Sequence, residues 1–551
     1  MRSLRSGALL VVAVGAGCGS DAGPGEPIAP VLAIDDAPLA DAAPDAVRDA
    51  ALLADAAPDA VRDAAPVATP PPFDWVGVIG TGQSLALGVS STVMSTTQPF
   101  HNLKLVDNGP NPKYPIDGNP SAKWATAPLV ELIRPRVAGT GPGYTDNQYP
   151  NDLFGETPHS GMANELSQLW AARGGSSEYV TAHSVVGWSS HCLVDLNKEG
   201  GMRAYPASLA EARVWTQLAR AAGKTFGYGG IVLTHGECDA GNLAYGAGLF
   251  TLWQDYNTDL KAITGQTRDV VLLVSQQSTE GVGHYDNSAV QVWQAGVAHP
   301  GQIVCTGPKY QFVYGSDHLH LPAPGYLALG EKYAEVFDQI VNQGVAWQPL
   351  QPTAITRAGA VVTIDFHVPN PPLAWDAHLA RPHLTKNTVW ANGRGFEAKD
   401  ATGRALAIAS VAIQGASVVL TLAAVPSSAV TIAYAITQDG AGLQGGTDLG
   451  AHGQLRDSDA LIGLDAETIA VHVTQGSAVV TAVAANGFAR RAARDAVSAG
   501  ADLADDTIVS SVDSASQLTL STPWLGATGT ASLAVHHDLH NFAVHFVLTV
   551  P

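Results

Sequence analysis

The sequence predicts an α/β domain built on a parallel sheet, followed by all-β accessory modules. From Phe73 to about Gly344, short apolar β-branched runs alternate with longer stretches of helical periodicity, the pattern of a parallel sheet with helices on both faces. After Trp347 the texture changes to strands and turns separated by Gly and Pro, which marks an all-β region. Before Phe73 neither texture is present. Residues 19–72 carry almost no aromatic or β-branched surface, and ADAAPDAVRDAA occurs twice, at Ala40–Ala51 and Ala54–Ala65. A Pro interrupts any helix in each repeat, so this stretch is expected to be a disordered Ala/Asp/Pro-rich linker whose job is reach.

The strands of the α/β domain are expected at Trp75–Ile79, Tyr179–Val186, Gly229–Thr234, Val270–Ser275 and Ile303–Thr306. Helical periodicity lies between them in Ala207–Ala222 and Phe250–Ile263, and a last helix presents Leu329, Tyr333, Val336, Phe337 and Ile340 on one face. In such a sheet the ligand site lies beyond the carboxyl ends of the strands. In the β region, strands are expected at Val361–His367, Leu406–Ile413, Val418–Ala423 and Val430–Ile436, and again at Ala478–Val483, Thr507–Val512, Gln517–Ser521 and Thr530–Val535. The expected organisation is an α/β domain at 73–346, a β-sandwich made of 347–466 plus 537–551, and a small inserted β module at 467–536. Arg456-Asp457-Ser458 and the terminal strand Asn541–Phe546 are expected to be neighbouring pieces of that sandwich, split by the insertion. Because the β region shares no helical alternation with the α/β part, it is expected to be separable from it.

A length of 551 residues exceeds what one core serves. The formal net charge of -20 and the lack of a Lys/Arg cluster argue against a nucleic-acid partner, which needs a basic face. Part of that charge belongs to the linker, where ten Asp/Glu face only Arg48 and Arg62. At the N-terminus Arg2 and Arg5 precede the apolar run Ala8–Val14, and Gly15-Ala16-Gly17 lead into Cys18. That run is too short to span a bilayer. It resembles a bacterial lipoprotein signal, which implies lipidation at Cys18, export, and membrane contact only through the lipid anchor; the alternative is an ordinary signal peptide cut near Cys18. Cys192, Cys238 and Cys305 then remain, an odd number that leaves at least one thiol free. Cys192 and Cys238 both follow strands at one sheet edge, so they either form a disulfide or stay as buried thiols.

The first strand ends in Gly80-Thr81-Gly82-Gln83-Ser84-Leu85, which puts a hydroxyl, and a backbone N–H suited to binding an oxyanion, at the open edge of the sheet. About 230 residues on, Gly315-Ser316-Asp317-His318-Leu319-His320 stands just before Pro322 and the last helix. Asp317 and His320 are three apart, which lets the carboxylate accept from one imidazole nitrogen while the other faces a nucleophile. His318 is the rival base, but its place next to Asp317 points it elsewhere. The second strand ends at Gly187-Trp188-Ser189-Ser190, and the third at His235-Gly236-Glu237-Cys238-Asp239-Ala240. Glu156, His159, Ser189 and His191 lie near strand ends as further candidates for the pocket. The histidines are not set at metal-ligand spacing, so neither a metal nor a cofactor is expected.

These four motifs, in this order, resemble the SGNH, or GDSL-like, hydrolases, and more specifically the sialate O-acetylesterase-like carbohydrate esterases. In those proteins GQS replaces GDS, QGESDA follows the third strand and Asp-x-x-His closes the domain. The resemblance covers roughly Phe73–Gly344, half the chain. It implies a flavodoxin-like three-layer fold, with Ser84 as nucleophile, Asp317 and His320 as its triad partners, and the N–H groups of Ser84 and Gly187 as oxyanion donors. Gln83 and Glu237 would lie at the substrate pocket, Glu237 bracing its loop. The chain departs from the pattern at the third strand. Where members with GxND use an Asn donor it has Cys238, and where nearer relatives have Gln it has His235, so a ring N–H of His235 is the expected third donor.

The implied activity is serine-esterase hydrolysis of an acylated carbohydrate, a sialic acid or polysaccharide, through an acyl-enzyme. The alternatives are a lipid or polyester esterase with the same triad, and a carbohydrate-binding surface protein that retains the fold without catalysis.

Overall fold

The structure, a computed structural model, describes residues 71–107, 124–133, 153–175, 178–279, 284–439, 444–446, 450–459, 463 and 466–551. The expected signal segment with Cys18 lies outside the described residues, as does the linker except for Pro71 and Pro72.

The first half forms a seven-stranded sheet from β1 (Trp75–Gly82), β2 (Leu103–Asp107), β3 (Trp124–Pro128), β4 (Val180–Val185), β5 (Phe226–Thr234), β6 (Val271–Gln276) and β7 (Ile303–Pro308). Their order is β3-β2-β4-β1-β5-β6-β7, and all neighbours run parallel except the β2–β3 pair. The sheet is therefore mixed where a parallel one was expected, because β3 returns beside β2 at the edge. The helices are α1 (Pro158–Ala172), a single turn α2 (Leu193–Leu196), α3 (Ala204–Ala221), α4 (Tyr245–Thr264), α5 (Ser288–Ala298) and α6 (Ala323–Phe337).

Side-chain alternation along the strands sorts the helices into two layers. Val76, Val78, Val232, Leu273 and Val304 pack with Met162 and Leu166 of α1 and with Leu329, Tyr333 and Phe337 of α6. Ile79, Ile231, Leu233, Leu272 and Val274 face the other way, onto Trp215 of α3, Leu249 and Tyr256 of α4, and Val290 and Trp293 of α5. Each large side chain sealed this way contributes about 1.5–3 kcal/mol.

Among the five parallel strands β1, β4, β5, β6 and β7, the chain lays the second beside the first on one side and the third on the other. The chain leaving β1 runs to one side, towards β2, and the chain leaving its neighbour β5 runs to the other, towards β6; the crevice opened between such strands is where α/β sheets bind ligands.

The second half is antiparallel. One four-stranded sheet holds Gln351–Ala358, Val361–His367, Ile408–Gln414 and Ser417–Leu422, and a three-stranded sheet holds Phe396–Asp400, Val430–Tyr434 and the terminal Phe546–Val550. Residues 467–536 make a six-stranded sheet with its own core of Val471, Val480, Phe488, Leu518, Trp524 and Leu533.

The sandwich is not set apart from the α/β layers. Val362, Ile432, Tyr434 and Phe546 belong to the same continuous core as α3, α4 and α5. The Trp293 ring meets the Phe546 ring edge-on at 6.1 Å. Its indole N–H donates to Gln351 Oε1 at 3.0 Å. The Tyr310 hydroxyl donates to the Ala543 carbonyl at 2.7 Å, and the Gln276 side chain exchanges two 3.0 Å bonds with the backbone of His545. This seam weighs against the expected separability, since removing the strands after Trp347 uncovers Trp293 and leaves the buried Gln276 Oε1 without the His545 N–H, the side chain keeping only its bond to the Ala289 carbonyl. A chain spanning 73–344 should accordingly partition to the insoluble fraction under conditions in which 73–551 is soluble. Recovery of a soluble, cooperatively melting 73–344 protein would show the seam to be dispensable.

Candidate active site

Gly82 ends β1 with φ +137°, and a Cβ there would lie 2.1 Å from the Thr234 carbonyl oxygen of β5. Only glycine lets the chain turn so close to its neighbour. Gln83 and Ser84 follow, with Ser84 opening a short 3-10 turn, Ser84–Ala86. The Ser84 carbonyl accepts the Val89 N–H at 3.2 Å, and the Val89 carbonyl accepts the Tyr326 hydroxyl of α6 at 2.9 Å. These bonds fold the chain back on itself and bring Ser90 to the loop that carries Asp317 and His320.

That loop is tightly specified. Asp317 Oδ1 accepts the backbone N–H groups of Leu319 and His320, both at 3.0 Å, while Oδ2 lies 2.7 Å from His320 Nδ1. Burial would raise the Asp317 pKa, but the backbone and ring hydrogen bonds from His320 outweigh it and hold the carboxyl at about 2. The carboxylate thus stays charged wherever an imidazole titrates. Ser90, which sequence reasoning missed, donates its hydroxyl to Asp317 Oδ2 at 3.1 Å and lies 3.4 Å from His320 Nδ1. His320 Nε2 is buried and, among the described residues, makes no hydrogen bond, to the Ser84 hydroxyl or to any other group. His318 takes a left-handed φ of +51°, and among the described residues Asp317 pairs with His320 rather than with it.

Gly187 follows β4, and a Cβ on it would stand 2.5 Å from the Gly82 carbonyl oxygen. The flanking N–H groups of Val186 and Trp188 donate to Gly80 and Gly82 at 2.7 and 2.9 Å. Among the described residues, neither the Ser84 nor the Gly187 N–H donates to another backbone carbonyl outside the regular elements.

His235 departs from expectation. Its Nε2 lies 3.0 Å from the His191 carbonyl oxygen and its Nδ1 3.1 Å from the Tyr245 hydroxyl. The ring is fully buried, and burial lowers its pKa. A neutral imidazole with both nitrogens engaged has no N–H left for an oxyanion, so His235 is a brace. Gln83 and Glu237 both make contacts that brace the third-strand loop. Gln83 Oε1 accepts the Cys238 N–H at 3.3 Å, and Glu237 Oε1 is 2.5 Å from Lys309 Nζ in a buried ion pair. The signal for Lys309 was its isolation between an apolar strand and Tyr310, a place where a lysine needs a buried partner. Cys192 and Cys238 form a disulfide, and Cys305 is a buried free thiol.

Of the other candidates, Ser189 and His191 stay partly exposed at the edge beside Trp188. Glu156 and His159 are buried. His159 Nδ1 lies 2.9 Å from His183 Nδ1, and burial depresses its pKa to about 3. Glu156 Oε2 accepts the N–H groups of Met94 and Ser95 at 2.7 and 2.9 Å, fixing the segment after the Ser84 turn. Nearby Glu131 accepts from the Thr157 and Ser160 hydroxyls at the start of α1, at 2.6 and 2.8 Å. Burial, and then the charge of Glu156, push the Glu131 pKa up to about 7.

No protein-family model matches the chain, and no curated protein matches it. Among solved structures it is similar to a carbohydrate acetylesterase from Xanthomonas citri, at 12% identity and TM-score 0.40, over 66% of this chain and 75% of that one. A protein from Arabidopsis thaliana matches at 14% identity and TM-score 0.32, over 49% and 100% of the two chains. NanS matches at 12% identity and TM-score 0.31, over 49% and 98%. Likeness at this level assigns no role to a residue, so the roles rest on the contacts above.

The raised pKa of Glu131 carries a sign. The native state holds this proton more tightly than the unfolded chain, so the associated stability is complete below about 4.5 and is lost as pH rises through about 7. Thermal melts of Glu131→Gln between about pH 5 and about pH 8 should show a shallower fall in Tm than those of the parent protein. An equal fall in both would assign the pH dependence to other groups.

Proposed function

We propose that this chain is a serine esterase of the SGNH type, acting on O-acetyl groups of a carbohydrate, with Ser84, His320 and Asp317 as its catalytic triad. The observation that carries this reading is the oriented Asp317–His320 pair, which leaves Nε2 buried and, among the described residues, without a hydrogen bond, on the loop tied by Ser90 to the Ser84 turn. An imidazole held through Nδ1 by a carboxylate is fixed in the tautomer whose Nε2 accepts a proton.

In this reading Ser84 Oγ attacks the ester carbonyl carbon while His320 Nε2 takes the hydroxyl proton. The carbonyl oxygen becomes an oxyanion and takes hydrogen bonds from the N–H groups of Ser84 and Gly187, each such donor being worth roughly 10²–10³-fold in rate. The tetrahedral centre then collapses, the sugar oxygen leaves with the proton from His320, and Ser84 retains the acetyl group. Water, deprotonated by the same imidazole, attacks the acyl-enzyme and releases acetate.

The motif resemblance supports a carbohydrate on the leaving side. Trp188 supports it too, being half-buried next to Gly187 and in edge contact with the His191 ring at 6.0 Å. An aromatic face there suits the apolar face of a sugar ring. The Cys192–Cys238 disulfide fits an exported protein, since such bonds persist in oxidising compartments. Export and anchoring through Cys18 are accordingly part of the proposal.

Purified Ser84→Ala should lose roughly 10³-fold or more of the kcat/KM for p-nitrophenyl acetate and for acetylated sugars, with its melting curve unchanged. His320→Ala should lose about 10²–10⁴-fold, while His318→Ala keeps most of its activity. Retained turnover in Ser84→Ala, or the reverse ranking of the two histidines, contradicts the assignment. A preference for long acyl esters over acetylated sugars would keep the triad but remove the carbohydrate.

A further inference from the structure

We propose that Cys192, Cys238 and His235 are positioning residues that lock the Gly187 loop across the end of β1 and so hold the Gly187 N–H in the oxyanion site. This rests on the esterase reading above and accounts for the two positions at which the third-strand motif departs from the family pattern.

The geometry begins with strand order. β4 and β5 flank β1 on opposite sides, so the segments leaving their carboxyl ends belong to different sides of the crevice. The segment after β4 nevertheless crosses the end of β1, with Gly187 against the Gly82 carbonyl, and reaches the segment after β5. Three bonds fasten it there. Cys192 and Cys238 are joined covalently with their Cα atoms 5.0 Å apart. The His235 Nε2–H donates to the His191 carbonyl at 3.0 Å. The Leu193 N–H donates to Asp239 Oδ2 at 2.7 Å. Cys238 is itself tied to the nucleophile turn, since its N–H donates to Gln83 Oε1 at 3.3 Å.

His235 is oriented for this task. Tyr245, fully buried in α4, lies parallel to the imidazole with centroids 5.8 Å apart and donates its hydroxyl to Nδ1 at 3.1 Å. That bond leaves the ring proton on Nε2, the nitrogen facing His191.

The loop needs such fastening. Backbone bonds from Val186 and Trp188 hold Gly187 to the end of β1 on its own side, but beyond them the chain turns away through Ser190 at a left-handed φ of +63°. An oxyanion donor works only if it is already in place as charge develops, and a misplacement of about 1 Å costs on the order of 10²-fold. With no Asn side chain at the Cys238 position, the oxyanion depends on backbone donors. The clamp makes one of them rigid.

A merely stabilising disulfide would change the melting temperature and leave turnover alone, whereas a positioning one changes kcat. In the full-length protein, Cys192→Ser with Cys238→Ser should melt cooperatively yet lose about 10–100-fold in kcat on p-nitrophenyl acetate, with KM within about threefold. His235→Phe, which has no donor for His191, should behave likewise, and His235→Gln, whose amide N–H can replace the ring donor, should recover most of the loss. Wild-type kcat in the double-serine variant overturns the proposal. Should that variant fail to fold, equal kcat in His235→Phe and His235→Gln overturns it. If the parent protein has no hydrolysis that Ser84→Ala removes, the esterase reading itself falls, an outcome distinct from an active parent with an indifferent clamp.

Discussion

The close approach of β4 to the end of β1 is the contact on which the rest of the site depends. The Trp188 N–H meets the Gly82 carbonyl at 2.9 Å, and no Cβ fits at Gly187 or at Gly82. With two glycines back to back, the chain leaving β4 passes directly over the place where Ser84 begins its turn. Strand order supplies the space, because the chain leaves β1 towards β2 and leaves the adjacent β5 in the opposite direction, towards β6. A side chain at Gly187 would push the two segments apart, and one at Gly82 would collide with the Thr234 carbonyl of β5.

Around that contact the protein invests in buried polar groups rather than in an apolar pocket. Lys309 and Glu237 pair below the His235–Asp239 loop. Glu156 and Glu131 gather the donors of the Ser95 segment and the start of α1. Breaking one partner of a buried pair costs about 3–5 kcal/mol, because the other is left charged and dry. The loops at the site are therefore set by obligatory hydrogen bonding, and the seam with the β-sandwich adds to it. Gln276, at the end of β6, is satisfied by His545 of the penultimate segment, so the carboxyl edge of the sheet is supported from the far end of the chain.

Much of the site was legible because its motifs are local. A Ser one residue past a Gly at the end of a β-branched run, and Asp-x-x-His before a helix, place their side chains by spacing alone, and the contact of Asp317 with His320 follows that spacing. What spacing could not reveal were partners distant in sequence. His235 read as a donor because nothing in its surroundings names Tyr245 or the His191 carbonyl as its partners. Ser90 carried no signal, being one hydroxyl in a Ser-rich turn. Helix α1 escaped periodicity because it is buried on several faces, with His159, Ser160, Gly161 and Glu165 all inside. The edge pair β2 and β3 is short, five residues each, and gave the sheet its one antiparallel step. The texture change at Trp347 identified where strands take over from helices, but a change in periodicity says nothing about whether the two halves share a core.

The central claim is that the end of β1, the Gly187 loop and the Asp317–His320 loop act as one acyl-transfer site. A crystal structure of the protein inactivated by a fluorophosphonate tests this most directly, since the adduct mimics the tetrahedral intermediate. The account predicts phosphorus bonded to Ser84 Oγ, the phosphoryl oxygen about 3 Å from the N–H groups of both Ser84 and Gly187, and His320 Nε2 turned toward the ester oxygen. An adduct on another side chain, or a phosphoryl oxygen directed away from Gly187, would contradict it.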